Sequence, residues 1–394
     1  MSNVKVVIGA SYGDEGKGLM TDYFANEAKE FNESCVVVLS NGGAQRGHSV
    51  STPEGIRHVF HHFGSGTFAG ADTYFPEYFI VNPMEFRREH KLLKTICGSR
   101  KLCPIVSKYC MVTTPFDMIA NQIFEENRGE NKHGSCGMGI WETVRRYEKE
   151  KWAALYGNYK YWQDGFNLGI RSVDELLRIK EYYEKRFESH NISLSEGWQN
   201  VWDSPNLINH YIHDMRYFLN HTISKDLADF IGCYNTVIFE NAQGLCLDQN
   251  FGDDERHTTP SNTGLTNPAE MIKKYLPNAN VEVCYVTRTY LTRHGRGPMD
   301  HECDKVEINP DMFDETNVPN PFQESLRYGK IQVDKLRERI CRDFEKGHPK
   351  WKCSLAITHM NEYPWKFREF AKEFDCVYES NGYTRKDVVR RENK

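Results

Sequence analysis

Among its 12 cysteines the chain has no Cys-x-x-Cys pair. The spacing that zinc ribbons and dithiol redox sites need is therefore missing, and those classes are excluded. Cys35, Cys233, Cys246, Cys284 and Cys353 lie inside apolar runs, a usage expected of reduced, buried thiols in a cytoplasmic protein. No run is long enough to span a bilayer, and the N-terminus enters a strand pattern without an apolar targeting segment. Basic charge is not in excess: Lys and Arg number 50 against 55 Asp and Glu, a net charge of −5, which argues against bulk nucleic-acid binding. No internal repeat and no low-complexity linker divides the chain, so residues 1–394 are read as one elaborated α/β domain. With 39% hydrophobic residues it can bury a large core.

The strongest strand patterns are Val4–Ile8, Cys35–Leu39, Thr236–Glu240, Val281–Thr287 and Ser354–Thr358. Helical patterns fall between them at Pro83–Lys94, Val173–Phe187, Asn206–Asp229 and Val333–Phe344. This alternation predicts a mostly parallel central sheet with helices on both faces. The stretch 148–229, rich in Tyr, Trp, Lys and Glu, reads as a mainly helical insertion, its aromatics serving packing.

Val4–Ile8 empties into Gly9-Ala10-Ser11-Tyr12-Gly13-Asp14-Glu15-Gly16-Lys17-Gly18. Glycines there let backbone N–H groups close on phosphate oxygens, the next helix offers its positive end, and Lys17 adds a mobile charge. Asp14 and Glu15 would repel a phosphate unless a cation lies between or a carboxylate has its own proton chemistry. The alternative is a tight strand-to-helix turn with a solvated acidic tip. Cys35–Leu39 empties into Ser40-Asn41-Gly42-Gly43-Ala44-Gln45-Arg46-Gly47-His48. Two such loops suit a ligand crevice at the carboxyl ends of parallel strands.

These loops resemble those of adenylosuccinate synthetases, whose pattern is GDEGKG followed by GGxNAGH; Gln45 and Arg46 replace Asn and Ala of the second. Further blocks follow in the family's order. His61–Gly66 resembles HLxPSG, Gly134–Ile140 resembles GTTGRGIG, and Phe239–Gly244 resembles FEGAQG. Thr259–Thr263 resembles TSSNT, and Thr292–Pro298 resembles TRVGAGP.

The resemblance implies a C–N ligase that phosphorylates O6 of a 6-oxopurine monophosphate, IMP or dIMP, and lets the amino group of L-aspartate displace the phosphate. By their matches, Asp14 would take the purine N1 proton and His48 would serve as acid at the moving phosphoryl group. Lys17 would contact phosphate and Gln243 the purine, with Mg²⁺ on Asp14 and the Gly47 carbonyl. Nucleotide contacts are implied from Gly13, Glu15, Gly16, Gly18, Gln45, Ser135, Cys136, Asn241, Thr259 and His294. Arg145 or Arg146 would supply charge to the monophosphate across a homodimer. Arg293, Arg296 and Arg327 are the candidates for the amino-acid carboxylates.

Departures bear on specificity. Where the family carries TTGRRRR, this chain reads Asn317–Gly329 with only Arg327 left of the arginine run. Asn361 stands where the family's guanine-reading aspartate falls in TKLD, which favours ATP or dATP over GTP unless Glu362 takes that role. Both changes resemble the phage 2-aminoadenylosuccinate synthetase branch, which acts on dGMP, although that branch usually lacks the carboxylate that Asp14 supplies. A ligase with another amine donor and a nucleotide sensor without turnover are further alternatives.

Overall fold

A computed structural model of the chain describes residues 2–156, 172–250, 257–311 and 325–393. Its centre is a ten-stranded sheet built from β1 (Asn3–Gly9), β2 (Cys35–Leu39), β3 (Asp72–Phe75), β4 (Ile105–Val106), β5 (Ile223–Ser224), β6 (Thr236–Glu240), β7 (Asn280–Arg288), β8 (Lys352–Thr358), β9 (Cys376–Ser380) and β10 (Val388–Glu392). The spatial order is β10-β9-β8-β7-β1-β6-β2-β3-β4-β5. All neighbours are parallel except β9 and β10.

The central strands are apolar on both faces because both are covered. Val36 and Val38 enter one hydrophobic cluster with Val6, Phe239 and Tyr285, while Val37 and Leu39 enter another with Val7, Ile238 and Val286. Adjacent residues of β2 thus serve opposite layers, as strand geometry dictates.

Helices cross between these strands: α1 (Lys17–Glu30), α2 (Pro83–Cys97), α3 (Pro115–Asn127), α4 (Ile140–Tyr156), α5 (Val173–Ser189), α6 (Glu196–Trp202), α7 (Pro205–Asn220), α8 (Thr266–Tyr275) and α9 (Val333–Phe344). Local chemistry sets several starts. Asn82 accepts from the Met84 and Glu85 amides ahead of α2, with Pro83 at its first position. Thr114 and Asp117 form a capping box at α3, as Ser172 and Glu175 do at α5. The start of α1 differs: Gly16 precedes it in the left-handed region, φ 94°, and no side chain caps it.

The five strongest strand patterns and Val333–Phe344 appear where the sequence places them. The helix expected over Asn206–Asp229 stops at Asn220, and Ile223–Ser224 instead becomes the outermost strand. Its backbone is drawn into the sheet, with the Ile223 amide donating to Pro104 O at 3.0 Å. Cys233 is exposed and Cys353 only partly buried, correcting the expectation for those two thiols. Within the stretch 148–229, α5, α6 and α7 pack on α2 and α3 through Phe116, Trp202, Phe187, Phe86 and Phe218; residues 157–171 of it lie outside the described residues. No described helix is long and apolar enough to cross a membrane.

One buried carboxylate ties α9 to the central sheet. Asp343 of α9, fully buried, accepts from the Leu265 amide at 2.9 and 3.1 Å and from the Tyr285 hydroxyl at 3.0 Å. Lys346 pairs with it at 2.9 Å. Asp343→Ala leaves the amide and hydroxyl without an acceptor, and we expect a loss of about 2–3 kcal/mol in urea unfolding.

Candidate functional site

The carboxyl ends of β1, β2, β6, β7 and β8 lie on one edge because these strands are parallel. The loop after β1 is shaped at four positions, by left-handed backbone or by close approach. Gly13, Asp14 and Gly16 have φ of 103°, 54° and 94°. A Cβ on Gly9 would lie 2.6 Å from the Gln243 carbonyl oxygen, and one on Gly16 would lie 2.7 Å from Thr358 Cγ2. The loop is clamped from outside: Thr358 Oγ1 donates to Glu15 O at 2.9 Å, Thr292 Oγ1 to Gly13 O at 3.3 Å, and Arg288 Nε to Asp14 O.

Within it, Asp14 Oδ2 pairs with His294 Nε2 at 2.7 Å and is about a quarter exposed. Burial pushes the Asp14 carboxyl up, but the His294 contact, with Arg288 and Lys17, holds it well below the usual carboxylate range. Glu15 is buried and its carboxyl is pushed up to about 7 by desolvation, against the pull of Lys17. Lys17 is buried at the first turn of α1, where desolvation lowers its ammonium below the usual value while Glu15, Asp14 and Glu240 draw it back.

The second loop is organised by Glu240, the last residue of β6 and fully buried. Its carboxylate takes Arg46 Nη2 at 2.9 Å, His48 Nδ1 at 2.6 Å, the Ser65 amide at 3.1 Å and the Ser65 hydroxyl. Arg46 Nη2 lies 3.1 Å from His48 Nδ1. Burial and then Arg46 lower the imidazole to about 4, so His48 is neutral at pH 7. Burial opposes ionisation of Glu240, but Arg46, His48 and Ser65 bring it down to about 2. A Cβ on Gly18 would lie 3.2 Å from His48 Cβ, so glycine at the start of α1 lets the two loops meet. Lys17 and His48 each feel the other's side of this junction.

Gln243 and Gln45 converge at Gly42. A Cβ there would lie 3.4 Å from Gln45 Nε2 and 4.0 Å from Gln243 Oε1. Both polar atoms of Gln45, Gln243 Oε1, and Nε and Nη1 of Arg46 are buried without a hydrogen-bond partner among the described residues. Buried amides and guanidinium groups are costly in that condition, and such positions cluster where a ligand completes the pairing. Asn41 joins the loops by accepting from the Ala242 amide at 2.7 Å and donating to Ser261 Oγ at 3.1 Å.

Other expected residues fall elsewhere or are occupied. Asn241 is fully buried and donates to the Thr263 and Gly264 carbonyls at 2.8 and 2.7 Å. Ser135 Oγ donates to Asn121 Oδ1 at 2.9 Å, and burial raises the Cys136 thiol. Thr259 is anchored through its amide to Leu247 O at 2.8 Å. Gly47 is exposed, its backbone at the surface beside the hairpin strand His48–Ser51.

The expectation for Arg146 is corrected. It is buried within the chain, with Nε and Nη2 on the Asp117 carboxylate at 2.8 Å and Nη2 on Val112 O at 2.9 Å. Arg145 is the outward member of that pair.

The three amino-acid-binding candidates also hold backbone. Arg293 spans the Pro298, His257 and Arg296 carbonyls and lies over the Tyr12 ring at 4.9 Å. Arg327 takes Gly295 O at 3.1 Å and Gly297 O at 2.9 Å, and pairs with Glu302. Arg296 donates to Glu130 O at 2.7 Å. Residues 317–324 of the expected arginine-loop position lie outside the described residues. Asn361 is exposed beyond β8, and Glu362 is tied to the Tyr290 hydroxyl.

Sequence reasoning missed Arg46, Glu240, Arg288 and the His294–Asp14 contact as parts of this site. Glu240 had a signal: a lone carboxylate closing an otherwise apolar, fully buried strand.

A buried lysine at an uncapped helix start, under a glycine loop at the carboxyl edge of a parallel sheet, defines the class of α/β proteins with a phosphate-loop-type turn. The chain belongs to the adenylosuccinate synthetase family, whose model matches residues 6–318. It is 29% identical over 305 residues to adenylosuccinate synthetase of Clostridium botulinum, covering 75% of this chain and 65% of that protein. It is likewise 29% identical over 337 residues to that of Synechocystis, covering 80% and 66%. The matches thus span just under two thirds of those relatives' length. Two solved structures share the fold. Fully ligated adenylosuccinate synthetase from Plasmodium falciparum superposes with TM-score 0.64 at 16% identity, covering 99% of this chain and 88% of that one. Succinoaminodeoxyadenylate synthetase (PurZ) of cyanophage S-2L, bound to dGMP and dATP, gives TM-score 0.63 at 14% identity, covering 99% and 95%.

The low-lying imidazole predicts acid lability. Its folded value lies below the ordinary 6.5, so the stability gained from keeping His48 neutral is present above pH 6.5 and is lost as pH falls through about 4. Thermal melts from pH 7 to pH 4 should show a steeper fall in Tm for the wild type than for His48→Asn; equal slopes would reject the assignment.

Proposed function

We propose that this protein is a purine nucleotide ligase that uses a nucleoside triphosphate and Mg²⁺ to activate O6 of a 6-oxopurine monophosphate, IMP or dIMP, for displacement by the amino group of L-aspartate. The observation that carries the reading is the junction of an ionised Asp14, a buried Lys17 and a Glu240-held His48 on adjoining loops. A binding module would need the cradle but not two proton-handling groups.

Asp14 takes the N1 proton of the purine, which places negative charge on O6. O6 then attacks the γ-phosphorus, and the nucleoside diphosphate leaves. The amino group of aspartate adds to C6, loses a proton, and expels phosphate. His48, directed by Glu240, faces the transferring group; an anion beside the ring would favour its charged form and let it donate. Lys17 neutralises phosphate charge at the start of α1. The unpaired amides of Gln45 and Gln243 offer acceptors and donors to the purine and its phosphate.

Asp14, kept ionised, and the exposed Gly47 backbone are hard oxygen donors that fit Mg²⁺. No cluster of three or more His, Cys, Asp or Glu among the described residues would hold a metal alone, so substrate phosphates would complete the shell. When bound, the ion would neutralise charge that develops on the phosphoryl oxygens.

A second reading, dGMP with an ATP-type donor, is favoured by Asn361, whose amide cannot replace a guanine-reading carboxylate but can pair with adenine. The solved cyanophage enzyme that shares this fold holds dGMP and dATP. Product mass from a matrix of IMP, dIMP, GMP and dGMP against ATP and GTP, with aspartate and other amino acids, separates the two readings. No product with any combination would reject both.

Asp14→Asn should keep nucleotide binding by calorimetry while turnover drops about 10²–10⁴-fold; near-normal turnover would remove Asp14 as the base. Asn361→Asp should move the preference in initial-rate assays from ATP toward GTP, and an unchanged preference would show that residue 361 does not read the base.

A further inference from the structure

Among the described residues, Arg46 is the one guanidinium with two buried nitrogens left without a hydrogen-bond partner, Nε and Nη1. Arg87, Arg293 and Arg339 each leave Nε alone in that condition. The Arg46 side chain is fully buried, and only Nη2 is engaged, on Glu240 Oε2 at 2.9 Å and 3.1 Å from His48 Nδ1.

Bracing Glu240 does not account for this arrangement. That carboxylate also takes the His48 ring, the Ser65 amide and the Ser65 hydroxyl. Arg146, just as buried, shows what bracing looks like in this chain: Nε and Nη2 reach both oxygens of Asp117, and Nη2 also donates to Val112 O. A guanidinium in that role closes its fork on the anion. Arg46 instead keeps Nε–H and both N–H groups of Nη1 idle, away from water, where unmade hydrogen bonds of a charged group are costly.

The surroundings point to what would fill them. Lys17 lies close enough for Arg46 to oppose its charge, so two buried cations are held near each other at the meeting of the glycine loops. Both polar atoms of Gln45, the residue before Arg46, are likewise unpaired. Like charges brought together with idle donors are relieved by an anion. Ser135 and Arg146, expected at the monophosphate, are meanwhile committed to Asn121 and Asp117, and the alanine of the family pattern at position 46 offers no donor.

We infer that Arg46 is a phosphate-binding residue, whose Nε and Nη1 donate to phosphoryl oxygens at the junction of the two glycine loops, on the nucleoside triphosphate or on the monophosphate. The identity of the phosphate rests on the ligase reading of the site; the idle donors do not.

Isothermal titration calorimetry of the full chain with AMP-PNP, ADP, IMP and dGMP, each with Mg²⁺, reads the contact without turnover. Glu240→Gln removes the carboxylate charge, so an Arg46 that only balanced it would become dispensable. Adding Arg46→Met to Glu240→Gln should instead weaken binding about tenfold or more beyond Glu240→Gln alone. Arg46→Lys, which keeps a cation beside Glu240 without the Nε and Nη1 donors, should weaken it in the same direction while Tm stays close to that of the wild type. A loss for AMP-PNP, with or without ADP, puts the contact on the triphosphate, and a loss for IMP or dGMP puts it on the monophosphate; either sustains the inference. Equal affinities of Glu240→Gln and the double variant for all four ligands would overturn it. So would full retention of binding in Arg46→Lys, or no binding of any of the four to the unmutated chain. Product formation with no dependence of binding on Arg46 removes this inference alone, whereas Arg46-dependent binding without product removes the ligase reading alone.

Discussion

The Glu240 carboxylate is the constraint from which the rest of the site follows. It is a charge without solvent at the end of an apolar strand, a condition tolerated only when partners surround it. Arg46, His48 and Ser65 are those partners, drawn from two different loops. Satisfying one carboxylate therefore fixes where the second glycine loop lies, how its imidazole is turned and how close it comes to α1. The Nδ1 contact with Glu240 leaves the opposite ring nitrogen as the chemically useful one. Arg46, where the family pattern has alanine, makes the junction more positive than that pattern implies.

The first loop achieves closeness by another means. Its backbone enters left-handed conformations at Gly13, Asp14 and Gly16, and side chains of β7, β8 and the 292–294 segment hold its carbonyls. A non-glycine residue there is strained, so Asp14 is held by its surroundings and not by its own preference. The same surroundings supply His294, which keeps the carboxylate ionised. Local strain and charge state thus have one cause, the packing of later strands against an early turn.

Arginine is used differently from what its sequence positions imply. Arg146, Arg293 and Arg327 are committed to a buried carboxylate or to loop carbonyls, so they act as braces. Positive charge facing open space is found instead at Arg128 and Arg145, beside the nearly buried Glu125 and Glu142. A guanidinium group has five donors in a rigid fork, which makes it equally apt for bracing backbone and for meeting an anion. Which of the two it does depends on what lies within reach, and sequence spacing carries no record of that.

The sequence by itself determined the central strands, because β1, β2, β6, β7 and β8 are short, mainly apolar runs of the kind a doubly covered parallel sheet buries. It also determined the glycine loops at their ends, since a left-handed turn after a strand needs glycine whatever surrounds it. Short edge strands such as Ile223–Ser224 were illegible, because two residues carry no period and their pairing partner is more than a hundred residues away. The same distance hid the contacts that decide chemistry. Asp14 meets His294 and His48 meets Glu240 only through the tertiary fold. Residue type fixes what a side chain can do; charge state, orientation and availability are set by neighbours that tertiary packing alone brings within a few ångströms.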